Sequence, residues 1–568
     1  MTEKHYIAGK DAALEDSIAK MQKQLQNLGF DIQEHAWLNP VPHVWSVHIN
    51  DSSCPLLFTN GKGGSKQAAL ASALGEYFER LATNYFWADF YLGDNLLTQN
   101  FAHYPNEQWF PAQESSDWPE ALLSKELLDF YNPSGQLQLA QLVDLNTANY
   151  EKGICTLPFK RQRDGKECLF PVNIIGNLYV SNGMSAGNSQ AEARVQALSE
   201  ILERFIKFKI IEEGICLPDV PQQVLEKYPD ILEGIRKLEE KGFSVLVKDA
   251  SLGGQFPVMN VTLLSPENQG CFASFGAHPK FFVALERSLT ELLQGRELAA
   301  LNEFPAPIHN LDEVASPENI ETHFIDSSGL MGWSFFSDTS DYDYSPCDFE
   351  GTTNEEFIWL CELIEQTGRD IYIADYEHLG VPCCRILVPS MSEIYASEDL
   401  EWANNNVGIG LRNQILQLDA LSAEDAQTLA DEIDEMALDD MQPVGALIGL
   451  PLQPNTLWKD FRVAELKVLL VAISQNKDAL LEGCEWLIDF SQIEEKRYKL
   501  YHCVVNRLEC DDDPQYHSTM EKLYSKEIMR EADQLLSGSL PSWWSTENTW
   551  QDALIEAYQK VQKAKYQS

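Results

Sequence analysis

The sequence lacks the features that mark several protein classes. Its twelve cysteines are scattered over 568 residues, with no CxxC pair and no cluster of cysteine with histidine. That pattern fits free thiols in a reducing cytoplasm and excludes a structural zinc site of the usual spacing. Long apolar runs are missing. Stretches such as VLLVAI at 469–474 fall far short of the ~20 residues that cross a bilayer. The opening MTEKHYIAGKDAALED has no apolar signal core. Positive charge is scarce: 42 Lys and Arg against 87 Asp and Glu give a net charge of −45. No basic stripe is present, which argues against direct binding of nucleic acid through its phosphates, whereas a basic protein partner is compatible. The GxxxxGK[ST] spacing is absent as well, so any nucleotide site is not a Walker A loop.

What is present is a chain rich enough in apolar residues, 44%, to bury large cores in two or three domains. A helical pattern covers 12–28 and VWSVHI at 44–49 is a strand candidate. Between 60 and 300, Gly-rich loops alternate with helices and with β-branched runs such as FPVNIIGNLYV and FPVMNVTLL. FPAPIHNLDEVASPE at 304–318 reads as a loop. DIYIADY at 370–376 and CCRILVP at 383–389 read as strands. Past about residue 410 glycine thins and helical periodicity takes over, with SAEDAQTLADEIDEMALDDM at 422–441 as solvated acidic helix. The expected architecture is a mixed α/β (α+β) domain over 1–410, with its core at about 60–400, followed by an all-α region over 411–568.

One helix pattern recurs. ALGEYFERL at 73–81 and ALSEILERF at 197–205 share the order Glu, Glu, Arg, and SLTELLQGR from Ser288 is a weaker copy. At about 100° per residue, Ser72, Glu76, Glu79 and Arg80 share one face. Gln196, Glu200, Glu203 and Arg204 share the same face of the second helix, with Glu192 and Asn188 close by. Arg287, Glu291 and Gln294 follow in the third. The opposite faces are apolar: Leu74, Tyr77, Phe78 and Leu81; Leu198, Ile201, Leu202 and Phe205; Leu285, Leu289, Leu292 and Leu293. Carboxylates recessed among apolar residues need a cation or a metal. The arginines are too few to neutralise Glu76, Glu79, Glu192, Glu200, Glu203 and Glu291. An all-oxygen donor set favours magnesium over zinc, and magnesium completes its shell with water and substrate phosphate. A nucleoside triphosphate with more than one metal ion is therefore the expected guest, with Arg204 and Arg287 adding positive charge. The loops TNGKGGSKQAAL at 59–70 and SNGMSAGNSQAEAR at 181–194 lead into two of these helices, and backbone amides at a helix start suit phosphate.

At these positions the sequence resembles the YcaO family. The first family motif is met by Ser72, Glu76, Glu79 and Arg80. The second is met by Ser185, Glu192 and Gln196, followed by Glu200, Glu203 and Arg204, then Arg287, Glu291 and Gln294. PCCRILVP is similar to the family's late strand, and the resemblance spans roughly 1–410. GKDAALEDS at 9–17 and the helical tail are similar to those of stand-alone bacterial members. The resemblance implies an ATP site with magnesium held by Glu76, Glu79, Glu200, Glu203 and Glu291. It implies nucleotide contacts from Lys10, Ser17, Ser72, Ser185, Asn188, Glu192, Gln196, Arg204 and Arg287, with Arg204, Arg287 and Glu291 in catalytic roles. Family members activate a peptide amide oxygen with ATP. Azoline-forming members carry a Pro-rich C-terminus, and the ending VQKAKYQS points away from cyclodehydration. Stand-alone members are linked to β-methylthiolation of an aspartate in a small-subunit ribosomal protein, alongside a radical-SAM methylthiotransferase. This chain has no CxxxCxxC motif and so is not that enzyme. The resemblance implies an ATP-hydrolysing accessory factor, cytoplasmic and homodimeric, with a tetratricopeptide-like tail for dimerisation or partner binding. The alternatives are an amide-activating enzyme of the cyclodehydratase or thioamide-forming type, and a nucleotide-binding adaptor without catalysis.

Overall fold

The computed structural model describes residues 4–93, 96, 99–112, 118–146, 152–490 and 493–567. Its strands are β1 (Ile32–Val41), β2 (Val44–Asp51), β3 (Phe58–Gly63), β4 (Gln108–Phe110), β5 (Ile154–Arg161), β6 (Glu167–Pro171), β7 (Met184–Ala186), β8 (Ser244–Asp249), β9 (Val258–Ser265), β10 (Gly270–Ala277), β11 (Tyr372–Tyr376) and β12 (Cys383–Leu387). They form three antiparallel sheets, ordered β1-β2-β3, β10-β9-β8 and β4-β5-β11-β12-β7, with β6 paired to β5. Six helices frame the central cavity or complete the core behind it: α1 (Leu14–Leu28), α2 (Lys66–Ala82), α3 (Gln190–Glu213), α4 (Phe281–Leu292), α5 (Pro317–Ile325) and α6 (Thr549–Gln567).

A strand-to-helix unit occurs three times: β3 into α2, β7 into α3, β10 into α4. Ser65 and Ser189 cap α2 and α3 by accepting from Ala68 N and Glu192 N, satisfying amides that have no partner inside the helix. Glycine sets the closeness of two units. A Cβ on Gly61 would lie 2.0 Å from Ala69 O and 2.5 Å from Ala73 N. A Cβ on Gly276 would lie 2.5 Å from Ala284 O and 2.6 Å from Ser288 N, at the same sequence offsets. Only a residue without a side chain lets the strand lie directly on its helix.

The apolar faces are buried as the periodicity predicts. Leu74, Tyr77, Phe78 and Leu81 are at most 1% exposed, as are Leu198, Ile201, Leu202, Leu285, Leu289, Leu292 and Leu293. Phe205 is partly buried against the same core. Each fully buried leucine or phenylalanine contributes on the order of 1.5–3 kcal/mol. Those cores fix the rotation of α2, α3 and α4 about their axes, and so turn all three polar faces towards one cavity.

Several local expectations are corrected. Residues 59–63, read as part of a Gly-rich loop, are strand β3, and Gly61 and Gly63 serve packing on α2. FPVNIIGNLYV is a strand only up to Pro171. Val172–Ile174 is a helical turn and Ile175–Tyr179 a π-helical one, anchored where Asn173 Nδ2 donates to Val143 O. The third acidic helix, Phe281–Leu292, holds Leu285, Arg287 and Glu291 as read, but Gln294, placed on it from the sequence, lies beyond its end, next to Gly295 at φ +69°. A glycine in the left-handed region is a usual helix terminator. Within 304–318, Leu311–Val314 forms one helical turn.

The described helices between Ile409 and Leu536 pack on a core of their own. Ala423–Glu435 within it is capped by Ser422 and Asp425 in a reciprocal box. The last helix returns to the first domain. Leu554, Ala557, Tyr558 and Val561 of α6 join the core that holds Leu74, Tyr77, Phe78 and Leu81 of α2. Trp87 Nε1 donates to Leu554 O at 3.0 Å, and the buried Lys565 Nζ donates to Asn84 Oδ1 and His103 O, both at 2.7 Å.

Candidate functional site

A cavity of about 850 Å³ opens between the three related units. Every site residue named from the sequence lines it: Lys10, Ser17, Ser72, Glu76, Glu79, Ser185, Asn188, Glu192, Gln196, Glu200, Glu203, Arg204, Arg287 and Glu291, with Gln294 at its edge. Residues more than 280 positions apart in sequence thus share one space of a size suited to a nucleotide.

At one end the segment before α1 lies across the start of α3. Glu192, 3% exposed, accepts from Asp11 N at 2.9 Å and from Asn188 Nδ2 at 3.0 and 3.1 Å, and pairs with Lys10 Nζ at 3.2 Å. Ser17 Oγ donates to Asn188 Oδ1 at 2.7 Å. Four residues singled out from distant sequence therefore form one network. His278 stands beside it, packed so closely that a Cβ on Gly9 would come within 2.7 Å of its ring. Burial, with Arg287 and Lys10 nearby, holds this histidine well below its ordinary range, so it is neutral.

The carboxylates lie further along. Glu76 accepts from Arg80 at 2.6 Å, and Glu200 pairs with Arg204 at 2.7 Å, both one helical turn apart. Arg204 also donates to Asn182 Oδ1 at 3.1 Å and lies over the Phe324 ring. Glu291 pairs with Lys62. Glu203 accepts from Ala277 N at 3.2 Å while Arg287 donates to Ala277 O at 2.7 Å, so β10 orients both. Ser185 is fully buried, its Oγ donating to Ala186 O. Ser72 and Gln196 line the wall. Gln294 donates to Asn60 O. Glu79 makes no ion pair among the described residues. Burial, reinforced by Glu200 and Glu76, holds its carboxyl well above the ordinary range. Burial also raises Glu203, against the pull of Lys62 and Arg287, and lowers Lys62 to about 8.

The charge balance read from the sequence counted arginines alone, and although Lys10 was named as a nucleotide contact, Lys20 and Lys62 were missed. Nine carboxylates and seven Lys or Arg side chains line the cavity, so the uncompensated charge is smaller than the arginines imply. Lys62 was missed because its strand, GKGG, reads as a turn; its place in β3, next to Gly61, was the available signal. Among the described residues no three Asp, Glu, His or Cys side chains form a ready-made cage for one ion. An oxygen-only set spread over three helices, with Glu79 and Glu203 raised by burial, instead fits magnesium, which takes one or two carboxylates and fills its shell from phosphate and water.

Two family models match the chain. One, described as YcaO cyclodehydratase, ATP- and Mg2+-binding, matches residues 60–392, and the other, described as YcaO cyclodehydratase C-terminal domain, matches 408–567. The chain is 48% identical, over 99% of its length and 98% of the relative's, to the ribosomal protein S12 methylthiotransferase accessory factor YcaO of Escherichia coli K12. It is also 48% identical to an uncharacterized protein of Haemophilus influenzae, over 100% of this chain and 99% of that one. Among solved structures, YcaO from Methanopyrus kandleri bound with AMPPCP and Mg2+ is 17% identical with a TM-score of 0.43, covering 69% of this chain and 95% of that one. Among the described residues no helix is long and apolar enough to cross a membrane. With the first family model matched over more than half of its length, and the second over most of the remainder, the chain belongs to the ATP- and Mg2+-binding YcaO family.

Proposed function

We propose that this chain is an ATP- and magnesium-dependent accessory factor for β-methylthiolation of an aspartate in ribosomal protein S12, acting beside a separate radical-SAM methylthiotransferase. The observation that carries this reading is 48% identity, from end to end, with the accessory factor of Escherichia coli. In this reading Lys10, Ser17, Asn188 and Glu192 hold the nucleoside end of ATP. Ser72, Ser185, Gln196, Arg204 and Arg287 hold its phosphates, and Glu76, Glu79, Glu200, Glu203 and Glu291 hold magnesium.

Bound magnesium supplies charge neutralisation on the phosphates. The chain's own residues do the rest. Arg287 is fixed through Ala277 O and Arg204 through Asn182, so both cations are oriented in advance for charge developing on the γ-phosphoryl group. Glu291 draws Lys62 into the same space. Glu76, Glu200 and Glu291, which pair with Arg80, Arg204 and Lys62, would hold magnesium when it is bound, leaving those three cations to the phosphates. Hydrolysis then gives ADP and phosphate. Location in the cytoplasm and a homodimeric state belong to the same proposal.

A second reading, ATP-dependent activation of a backbone amide, is favoured by the cyclodehydratase description of both family models. Mass spectrometry of S12 incubated with the methylthiotransferase, with and without this chain and ATP, separates the two. The accessory role predicts a larger methylthiolated fraction when both are present. No change in that fraction contradicts it, and loss of water from a peptide substrate without the methylthiotransferase selects amide activation.

A further inference from the structure

One wall of the cavity belongs to none of the three related units. Phe324, Ile325 and Asp326, at the end of α5, line it. A single lysine clamps this triplet from behind. Lys207 lies one turn beyond Glu203 on α3 and is 6% exposed. Its Nζ donates to His323 O at 2.6 Å and to Ser327 Oγ at 2.7 Å, the two residues that flank the triplet. Arg296, stacked over Phe272 and Phe304, donates to Asp326 O at 2.8 Å. Ser327 sits at φ +64°, a conformation an L-residue holds only where its surroundings fix it. Behind it, a Cβ on Gly329 would meet the His323 ring at 2.5 Å, and Leu330 N donates to Asn319 Oδ1 at 2.6 Å. Burial lowers Lys207 to about 7, and its amine secures the turn through two acceptors.

The position along α3 says what that turn faces. Glu192, bound to Lys10 and Asn188, is at the start of the helix. Arg204 is about 18 Å further along the axis at 1.5 Å per residue, with its guanidinium 4.9 Å from the Phe324 ring. Glu200 and Glu203 precede Arg204. The turn therefore stands beyond the carboxylates, away from the end where Glu192 is bound. There Ile325 is 70% exposed, an aliphatic side chain on the rim of a cavity whose walls are crowded with charge, directly beside Asp326.

We infer that the Phe324–Asp326 turn is the wall against which the acceptor polypeptide docks, with Ile325 as an apolar specificity contact and Lys207 as the residue that positions the turn. The half-exposed Asp326 carboxylate accepts from Ser328 and lies 3.9 Å from Arg296, so the matching ligand is a polypeptide segment with an apolar side chain next to a cationic one that shares this carboxylate with Arg296. A chain of net charge −45 draws such basic segments to it. The identity of the polypeptide as S12 rests on the accessory-factor reading.

The test uses the full chain, with labelled S12 followed by fluorescence anisotropy in the presence of magnesium and AMPPCP. AMPPCP affinity is measured separately. Ile325→Asp, on an exposed side chain, is expected to weaken S12 binding about tenfold or more and to leave AMPPCP affinity unchanged. Lys207→Met is expected to show the same split, which a general loss of structure would not give. Unchanged S12 binding in both variants, or parallel loss of both ligands, overturns the docking wall and leaves the accessory-factor reading standing. Wild-type protein without affinity for S12 overturns both.

Discussion

Replacing Gly61 by alanine is expected to damage the site without touching any residue that lines it with charge. The added Cβ would stand 2.0 Å from Ala69 O, 2.5 Å from Ala73 N and 2.7 Å from Ala73 Cβ. All belong to α2, and two are backbone atoms that cannot rotate away. Restoring ordinary contact requires α2 to retreat from β3 by about 1.4 Å (the gap between 2.0 Å and a contact of 3.4 Å). Overpacking of this kind costs about 1–3 kcal/mol. The functional loss is larger, because α2 carries Glu76, Glu79 and Arg80 and moves them as a body. A displacement of about 1 Å at a reacting centre can cost on the order of 100-fold in rate. Gly75, on the same helix with open space at its Cβ position, is the stability control: alanine there should stabilise by about 0.5–1 kcal/mol. Thermal unfolding and phosphate release measured on both variants decide the matter. A Gly61→Ala protein that melts with wild type and releases phosphate at the wild-type rate would refute the claim that this glycine sets the position of the site.

Acid should destabilise the fold through histidines that burial keeps neutral, His278 among them. Burial lowers His323 to about 4 and His378 to about 3. Their neutral forms are favoured only in the folded chain, so their contribution is present above the ordinary value of about 6.5 and is lost as pH falls through the folded values. For His323 this amounts to roughly 3 kcal/mol at most. Melting temperature should fall between pH 6.5 and 4, and His323→Gln should flatten that fall; an unaltered slope would count against it. Hydrolysis should yield ADP and phosphate, and Arg287→Ala should lower turnover more than it weakens nucleotide binding. Chromatography that finds AMP and pyrophosphate as main products would reject γ-phosphoryl chemistry.

Much of the site was legible because helical period 3.6 reports which side chains share a face. The apolar stripes of α2, α3 and α4 bury against cores, and whatever stands opposite must face whatever lies between the helices. Glu76, Glu79, Glu200, Glu203 and Glu291 could be read this way, and Arg80 and Arg204 with them, since they follow at fixed spacing. Periodicity says nothing about partners distant in sequence. Lys62 meets Glu291 only because β3 and α4 come together, and Lys207 meets Ser327 only because α5 packs on α3. Neither pairing leaves a local signal. The glycines of GKGG were misread for a related reason: a glycine needed for strand-on-helix contact and one needed for a turn look identical in sequence. FPVNIIGNLYV has strand propensity, yet Asn173 and Arg385, which donates to Ile175 O and Val180 O, hold its second half in helical and π-helical turns. The return of α6 to the first core was equally hidden, since an amphipathic helix does not declare which core it completes.

The central claim is that carboxylates from three related helices make a magnesium-dependent ATP site. Its most direct test is equilibrium binding of AMPPCP to wild-type protein and to Glu200→Ala, each with and without magnesium. The account predicts binding to wild type that depends on magnesium, and weakening of about tenfold or more in the variant, which should remain folded by circular dichroism. Equal affinity in both proteins, or affinity indifferent to magnesium, would contradict it.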